Sequence, residues 1–450
     1  MQPSIGQDIK KLLMVMLPVL VAQVSTVGMN FIDTAMSGHA GAADLAGVSV
    51  GANLFMPLMV GITSVLAAAT PIIAQLIGRK KKEDIPAVVQ SGLSLAFLAA
   101  VLLLGGYLLF INPVMKGLSL APDVERIARY YLLAVVVGSF FQFPVMPLRS
   151  LTDTAGTTAI SMGLFLAALP VNGLLNYMFI FGKWGAPHLG GIGAGVATAL
   201  TYAMLLVLFI AVSVKWDDVF QGRRIFQRFH WRKGNVKEYL SIGVPNGLGA
   251  FMEASLFGFI VIFMARFGTE VLAAHQAAMN FSGLIYMVPL SFSMALTILV
   301  GVEAGARRYD RARRYGRLGL GLALSCGIIA GLFTIFEKDL IASIYAAEPA
   351  LISGIGHFLI YTAAWQLFDG IACPIQGILR GYKDVRTPFA LMMVAYWCVC
   401  FPMGIFLDAV TDYGPYAYWQ GLVLGVLTSA VLLVVRLRLI EKRYRCKEAA

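Results

Sequence analysis

The 450-residue chain predicts an all-α polytopic membrane protein, with twelve transmembrane helices in two pseudo-symmetric six-helix bundles. Three observations carry that prediction. The sequence is 59% hydrophobic and only 13% charged, where a soluble domain usually carries roughly 25% charge. Apolar runs longer than about 18 residues, enough to cross a bilayer as helix, recur from one end to the other. A weak internal repeat divides these runs into two equal sets.

The first run, 11–36, follows Lys10 and Lys11 as the core of a signal peptide would, but no convincing cleavage site ends it, so it reads as a retained span. Spans 49–77, 88–111 and 129–148 come next, with Pro57 and Pro71 in the second and Pro144 and Pro147 closing the fourth. Spans 158–181 and 190–213 complete the first half. A basic segment, 214–238, interrupts the series. The second half holds spans 239–265, 275–301, 315–336, 352–376, 388–407 and 416–438, with Pro245, Pro289 and Pro374 inside three of them. Together with Pro18, these prolines leave helix carbonyls unpaired and bend the chain, which is compatible with gating bends, although helix packing alone accounts for most of them. The expected organisation is an N-terminal lobe over 1–213, a cytoplasmic linker over 214–238, and a C-terminal lobe with a cytoplasmic tail over 239–450.

The repeat rests on matches in constant order. Leu45-Ala46 recurs as Leu272-Ala273, Asn53 as Asn280, and Gly78 as Gly305 with basic residues following both. Leu148-Arg149 recurs as Leu379-Arg380, and Asp153 as Asp384. Six spans per half is an even number, so both halves enter the membrane from one side and are related by an axis along its normal.

Charge placement sets the orientation. With both termini in the cytoplasm, all but a handful of the 35 Lys and Arg residues fall on the inner side, whereas acidic residues divide far more evenly. The basic clusters 79–82, 215–237, 307–317 and 436–447 are therefore topology anchors, and the net charge of +11 does not point to nucleic acid. Within the linker, Ile225, Phe226, Phe229 and Trp231 alternate with Arg224, Arg228 and Arg232, a pattern that fits either a short helix on the anionic inner surface or a plain loop.

Cys326, Cys373, Cys398, Cys400 and Cys446 fall in spans or on the tail without zinc-ligand spacing, and the five histidines are scattered. No catalytic motif and no phosphate-binding glycine loop appears, which argues against an enzyme and against an ATP-driven pump.

The chemistry lies in acids placed where charge is expensive. Asp33, Glu253 and Asp369 sit inside apolar runs, and an uncompensated carboxylate there costs roughly 3 kcal/mol or more, so such groups face a protein interior or a wet cavity and bind something. Asp33 has Asn30 and Thr34 within one turn. Asn172 and Asn176, four apart on the fifth span, share a face that can meet it. The functional reading is a proton site; the alternative is a hydrogen-bonded packing node. Glu253 and Asp369 have no Lys or Arg nearby within the apolar layer. If packing brings them together, they must share a proton or bind a cation, and oxygen ligands suit a hard ion such as Na+. Met36, Met56, Met252, Phe257, Phe281, Tyr286, Met287, Phe292 and Trp365 are candidates for an adaptable cavity, since thioethers and aromatic faces accept varied cations.

These residues bring a family into view. Asn30-Phe-Ile-Asp-Thr-Ala-Met-Ser-Gly38, Asp44-Leu-Ala-Gly-Val48, Pro71-Ile-Ile-Ala-Gln-Leu-Ile-Gly78 and Pro170-Val-Asn-Gly-Leu-Leu-Asn-Tyr177 resemble the multidrug and toxic compound extrusion family, particularly its bacterial exporters. Glu253, Leu272-Ala-Ala-His-Gln276 and Asp369 continue the resemblance through the second half. It implies two six-helix lobes around a cleft, alternating between inward-open and outward-open forms. It also implies export of cationic or amphipathic drugs and dyes in exchange for Na+ or H+, without a resident cofactor, from the bacterial cytoplasmic membrane. Asp33, Asn172 and Asn176 take the family's first-helix and fifth-helix positions. Glu253 and Asp369 take its cation-binding acids, and a monomer is expected. The nearest rival is a flippase for lipid-linked oligosaccharides. It would need cationic cavity residues for pyrophosphate, which the spans almost lack. A channel would show continuous conductance, and a scaffold would leave three isolated acids unexplained.

Overall fold

The computed structural model describes residues 4–215, 225–226 and 233–449. Among them are twelve helices long and apolar enough to cross a membrane. They are α1 (Ile5–Ala40), α2 (Ala42–Gly78), α3 (Lys82–Leu118), α4 (Pro122–Thr154), α5 (Thr158–Phe181), α6 (Gly191–Lys215), α7 (Lys233–Phe267), α8 (Thr269–Gly305), α9 (Tyr309–Phe336), α10 (Pro349–Gly381), α11 (Arg386–Val410) and α12 (Tyr416–Arg445). Each expected span falls on one of them, the sixth beginning one residue before its helix. The helices overrun the apolar runs because the backbone goes on satisfying itself past the hydrocarbon layer. Thirty-six residues of α1 rise roughly 54 Å at 1.5 Å per residue, against about 30 Å of hydrocarbon. Most of the amphipathic pattern expected in 214–238 lies outside the described residues.

The outer faces stay apolar. Leu109, Phe336 and Ile344 are each more than 70% exposed, which lipid rather than water would cover. Helix termini and breaks follow composition. α2 is interrupted between Leu66 and Ala69, just before Pro71. α11 changes from α-helical to π-helical over Val394–Cys400, just before Pro402, whose missing N–H cannot close a normal turn.

The chain divides into two compact units, Val21–Gly247 and Met1–Leu20 with Leu248–Ala450. In the first unit α4 is the hub, packed on α2, α3 and α6. In the second, α10 is the hub and packs on α8, α9 and α12, the corresponding helices of the repeat. These contacts are close because small residues line them. A side chain at Gly377 would collide with the backbone of Ser293, which lets α8 and α10 approach.

The unit boundaries differ from the expected division at 213 and 239. Residues 233–247 of α7 stay with the first unit: the Tyr239 hydroxyl donates to the carbonyl of Leu66, and Asn246 Nδ2 donates to that of Ser64 at 2.8 Å. The start of α1 goes with the second unit. Leu12, Val15 and Met16 share a core with Phe292, Leu296, Ile375 and Leu433, and the buried Asp8 pairs with Arg314 at 2.9 Å. Hydropathy cannot reveal this exchange, because a long helix looks the same wherever its two ends pack.

Candidate functional site

Asp33 sits in the first unit on the buried face of α1. Its Oδ1 accepts hydrogen bonds from Asn176 Nδ2 at 2.6 Å and Asn172 Nδ2 at 3.2 Å; its Oδ2 accepts one from Thr198 Oγ1 at 2.6 Å. The asparagines reach it together because four residues make one helical turn, and Asn176 also donates to Asn172 Oδ1 at 3.2 Å. All three donors are neutral. A hydroxyl can either donate to a carboxylate or accept from a carboxylic acid, so Thr198 can serve Asp33 with or without a proton. The Asn176 amide oxygen, Oδ1, has no partner among the described residues.

Asn30 and Thr34 do not join this cluster. Both are exposed, and the Thr34 hydroxyl bonds back to the Asn30 carbonyl at 3.0 Å. Adjacent helix positions are about 100° apart, so Thr34 cannot share the face of Asp33. Thr198 is the partner that sequence reasoning missed; its signal was a hydroxyl which, with Thr201, interrupts the glycines and alanines of the sixth span.

In the second unit, Glu253 on α7 and Asp369 on α10 lie close enough for their charges to act on one another. Tyr396 donates to Glu253 Oε1 at 3.3 Å. Asp369 is 8% exposed and accepts no hydrogen bond among the described residues. The half-buried guanidinium of Arg380 is near enough to act on Glu253 electrostatically, but its Nη2 donates to Ser293 Oγ at 2.6 Å. Its counterpart in the repeat, Arg149, is engaged in the first unit by Asp153 at 3.4 Å and by Gln23 at 3.0 Å. Among the described residues, no Lys or Arg forms an ion pair with Asp33, Glu253 or Asp369. Nor do three His, Cys, Asp or Glu residues there gather as a metal cluster. Two carboxylates and phenol oxygens remain, a hard-oxygen set suited to a proton or an alkali cation.

Beside Asp369 a cavity of about 550 Å³ opens between α8, α9 and α10. Of the expected cavity residues, Tyr286, Phe281 and Trp365 line it, and Phe257 packs on Trp365 with ring centroids 5.4 Å apart. Met36 packs on the core of the first unit, and Phe292 is buried in that of the second. Met56 is largely exposed, and neither Met252 nor Met287 lines this cavity. Gln366 was missed, although its place three residues before Asp369 puts both on one face of α10.

The model of the MatE family matches residues 18–178 and 245–406. A probable multidrug resistance protein NorM of Bacillus anthracis is 40% identical over 444 residues, covering 98% of this chain and 97% of that protein. One of Halalkalibacterium halodurans is 42% identical over 438 residues, 97% of this chain and 95% of the relative. The crystal structure of the eukaryotic MATE transporter AtDTX14 superposes with a TM-score of 0.88 at 17% identity, covering 98% of both chains. The bent form of the Vibrio cholerae MATE transporter VcmN gives 0.84 at 18%, over 98% of this chain and 99% of that one. At such identities the structural likeness establishes the fold.

Proposed function

This chain belongs to the MatE family, and on that premise we propose that it is a secondary active antiporter exporting cationic and amphipathic drugs by alternating access, with Na+ or H+ as the exchanged ion. It is a multi-pass membrane protein and not an enzyme. We place it in the bacterial cytoplasmic membrane with both termini inside, acting as a monomer.

One observation carries the reading: three carboxylates inside apolar helices, Asp33 and Asp369 buried and Glu253 half-buried, none paired with a basic side chain among the described residues. A negative group held this way favours a positively charged guest. In the second unit, Glu253 and Asp369 repel until a proton or Na+ offsets their charge. In the first, Asp33 can take a proton while Thr198 changes from donor to acceptor. Ion loading then biases one of two conformations, and drug loading biases the other. Each ligand shifts the balance only by its difference in affinity between them.

Dye efflux from reconstituted vesicles under separately imposed Na+ and proton gradients tests this. Efflux that follows one gradient supports exchange and identifies the ion. Efflux indifferent to both gradients overturns it.

A further inference from the structure

The α8–α9–α10 cavity is built unlike a lipid-filled gap. Its walls are apolar and aromatic, with Phe281, Phe333 and Trp365 among them, but its polar contributors include Gln366 and Asp369. Gln366 is 7% exposed, and neither its Nε2 nor its Oε1 has a hydrogen-bond partner among the described residues. Leaving a buried amide atom unsatisfied is costly, so a side chain with both unsatisfied next to a carboxylate marks a place where a guest supplies the missing partners. The cavity volume lies in the range of sites for drug-sized molecules, about 300–1,000 Å³. An acyl chain would fill the walls but leave the amide and the carboxylate unanswered.

We propose that this cavity is a substrate site, and that Gln366 selects cations carrying an N–H donor over quaternary cations of the same shape. The aromatic walls hold the apolar body. Asp369 answers the charge, and Gln366 Oε1 accepts the ammonium hydrogen that a quaternary nitrogen lacks. Because Asp369 is also part of the ion site, drug and ion meet at one carboxylate. This deepens the export reading and rests on it.

The test is equilibrium binding to the full-length protein in nanodiscs of two dansyl amides, one with a protonated dimethylaminopropyl arm and one with a trimethylammoniumpropyl arm. Wild type should prefer the amine. Gln366→Leu should weaken amine binding about tenfold and leave the quaternary dye within about twofold, while Gln366→Glu, which keeps the acceptor, restores the preference. Ala330→Phe, filling the cavity from α9, should weaken both dyes. Equal loss of both dyes in Gln366→Leu, or no loss of either, overturns the role of Gln366. Unchanged binding in Ala330→Phe overturns the cavity. If wild type neither binds nor exports either dye, the export reading itself fails.

Discussion

Tyr396 donates its phenolic hydrogen to Glu253 Oε1 at 3.3 Å, and it does so from the π-helical segment Val394–Cys400 of α11. A wider turn re-aims a side chain that regular helix would have pointed elsewhere, and such turns gather at functional sites. Removing the hydroxyl in Tyr396→Phe takes away one hydrogen bond, a net contribution of about 1 kcal/mol. The apparent affinity for the driving ion should shift roughly fivefold, read from the ion-concentration dependence of dye efflux in proteoliposomes. Unchanged affinity would show that the contact only packs the helix.

Neutralising either acid of the second unit should have a larger effect. Glu253→Gln and Asp369→Asn keep the shape of the side chain and remove the charge that a cation answers. Both variants should insert and purify like wild type while gradient-driven efflux drops to background. Full efflux by both would end the assignment of the ion site.

The Asp33 cluster predicts a difference between two substitutions at one position. Thr198→Val is close in shape but removes the hydroxyl bonded to Asp33 Oδ2 at 2.6 Å. That leaves a buried oxygen unsatisfied, at a cost of about 1–3 kcal/mol. Thr198→Ser keeps the hydroxyl. The valine variant should lower the melting temperature of the solubilised protein by several degrees and slow efflux, and the serine variant should do neither.

Helix contact in the second unit can be tested with paired glycines. Gly377 faces the backbone of Ser293, whereas a side chain at Gly321 meets nothing within 4 Å. Overpacking a close helix contact costs roughly 1–3 kcal/mol or more. Gly377→Leu should reduce the yield of monodisperse protein on size-exclusion chromatography, and Gly321→Leu should leave it unchanged.

Much of this architecture could be read from residue order alone, because hydrocarbon imposes a length and a polarity that a single helix must meet by itself. The twelve spans, Asp33 and its partners Asn172 and Asn176, and the two acids of the second half were all visible in that way. What escaped depended on neighbours distant in sequence. Thr198 looks like any small residue until α6 is packed against α1. Tyr396 depends on the turn ahead of Pro402, and Gln366 is informative only once its amide is seen to lack partners. The placement of residues 4–20 with the second unit reflects which surfaces Leu12, Val15 and Met16 fit, and that is a property of two partners rather than one.

The neutral surroundings of Asp33 have an electrical consequence. With only amides and a hydroxyl to hold it, Asp33 has no counter-charge beside it, so a proton taken up there would change the charge of the cluster by one full unit. Moving one unit of charge across a membrane potential is worth about 2.3 kcal/mol per 100 mV. The loaded and empty forms must therefore be weighted differently by voltage, in proportion to the share of the field that falls across them. Wherever the exchanged charges differ, an energised cell would drive this protein through its potential as well as through its concentration gradients.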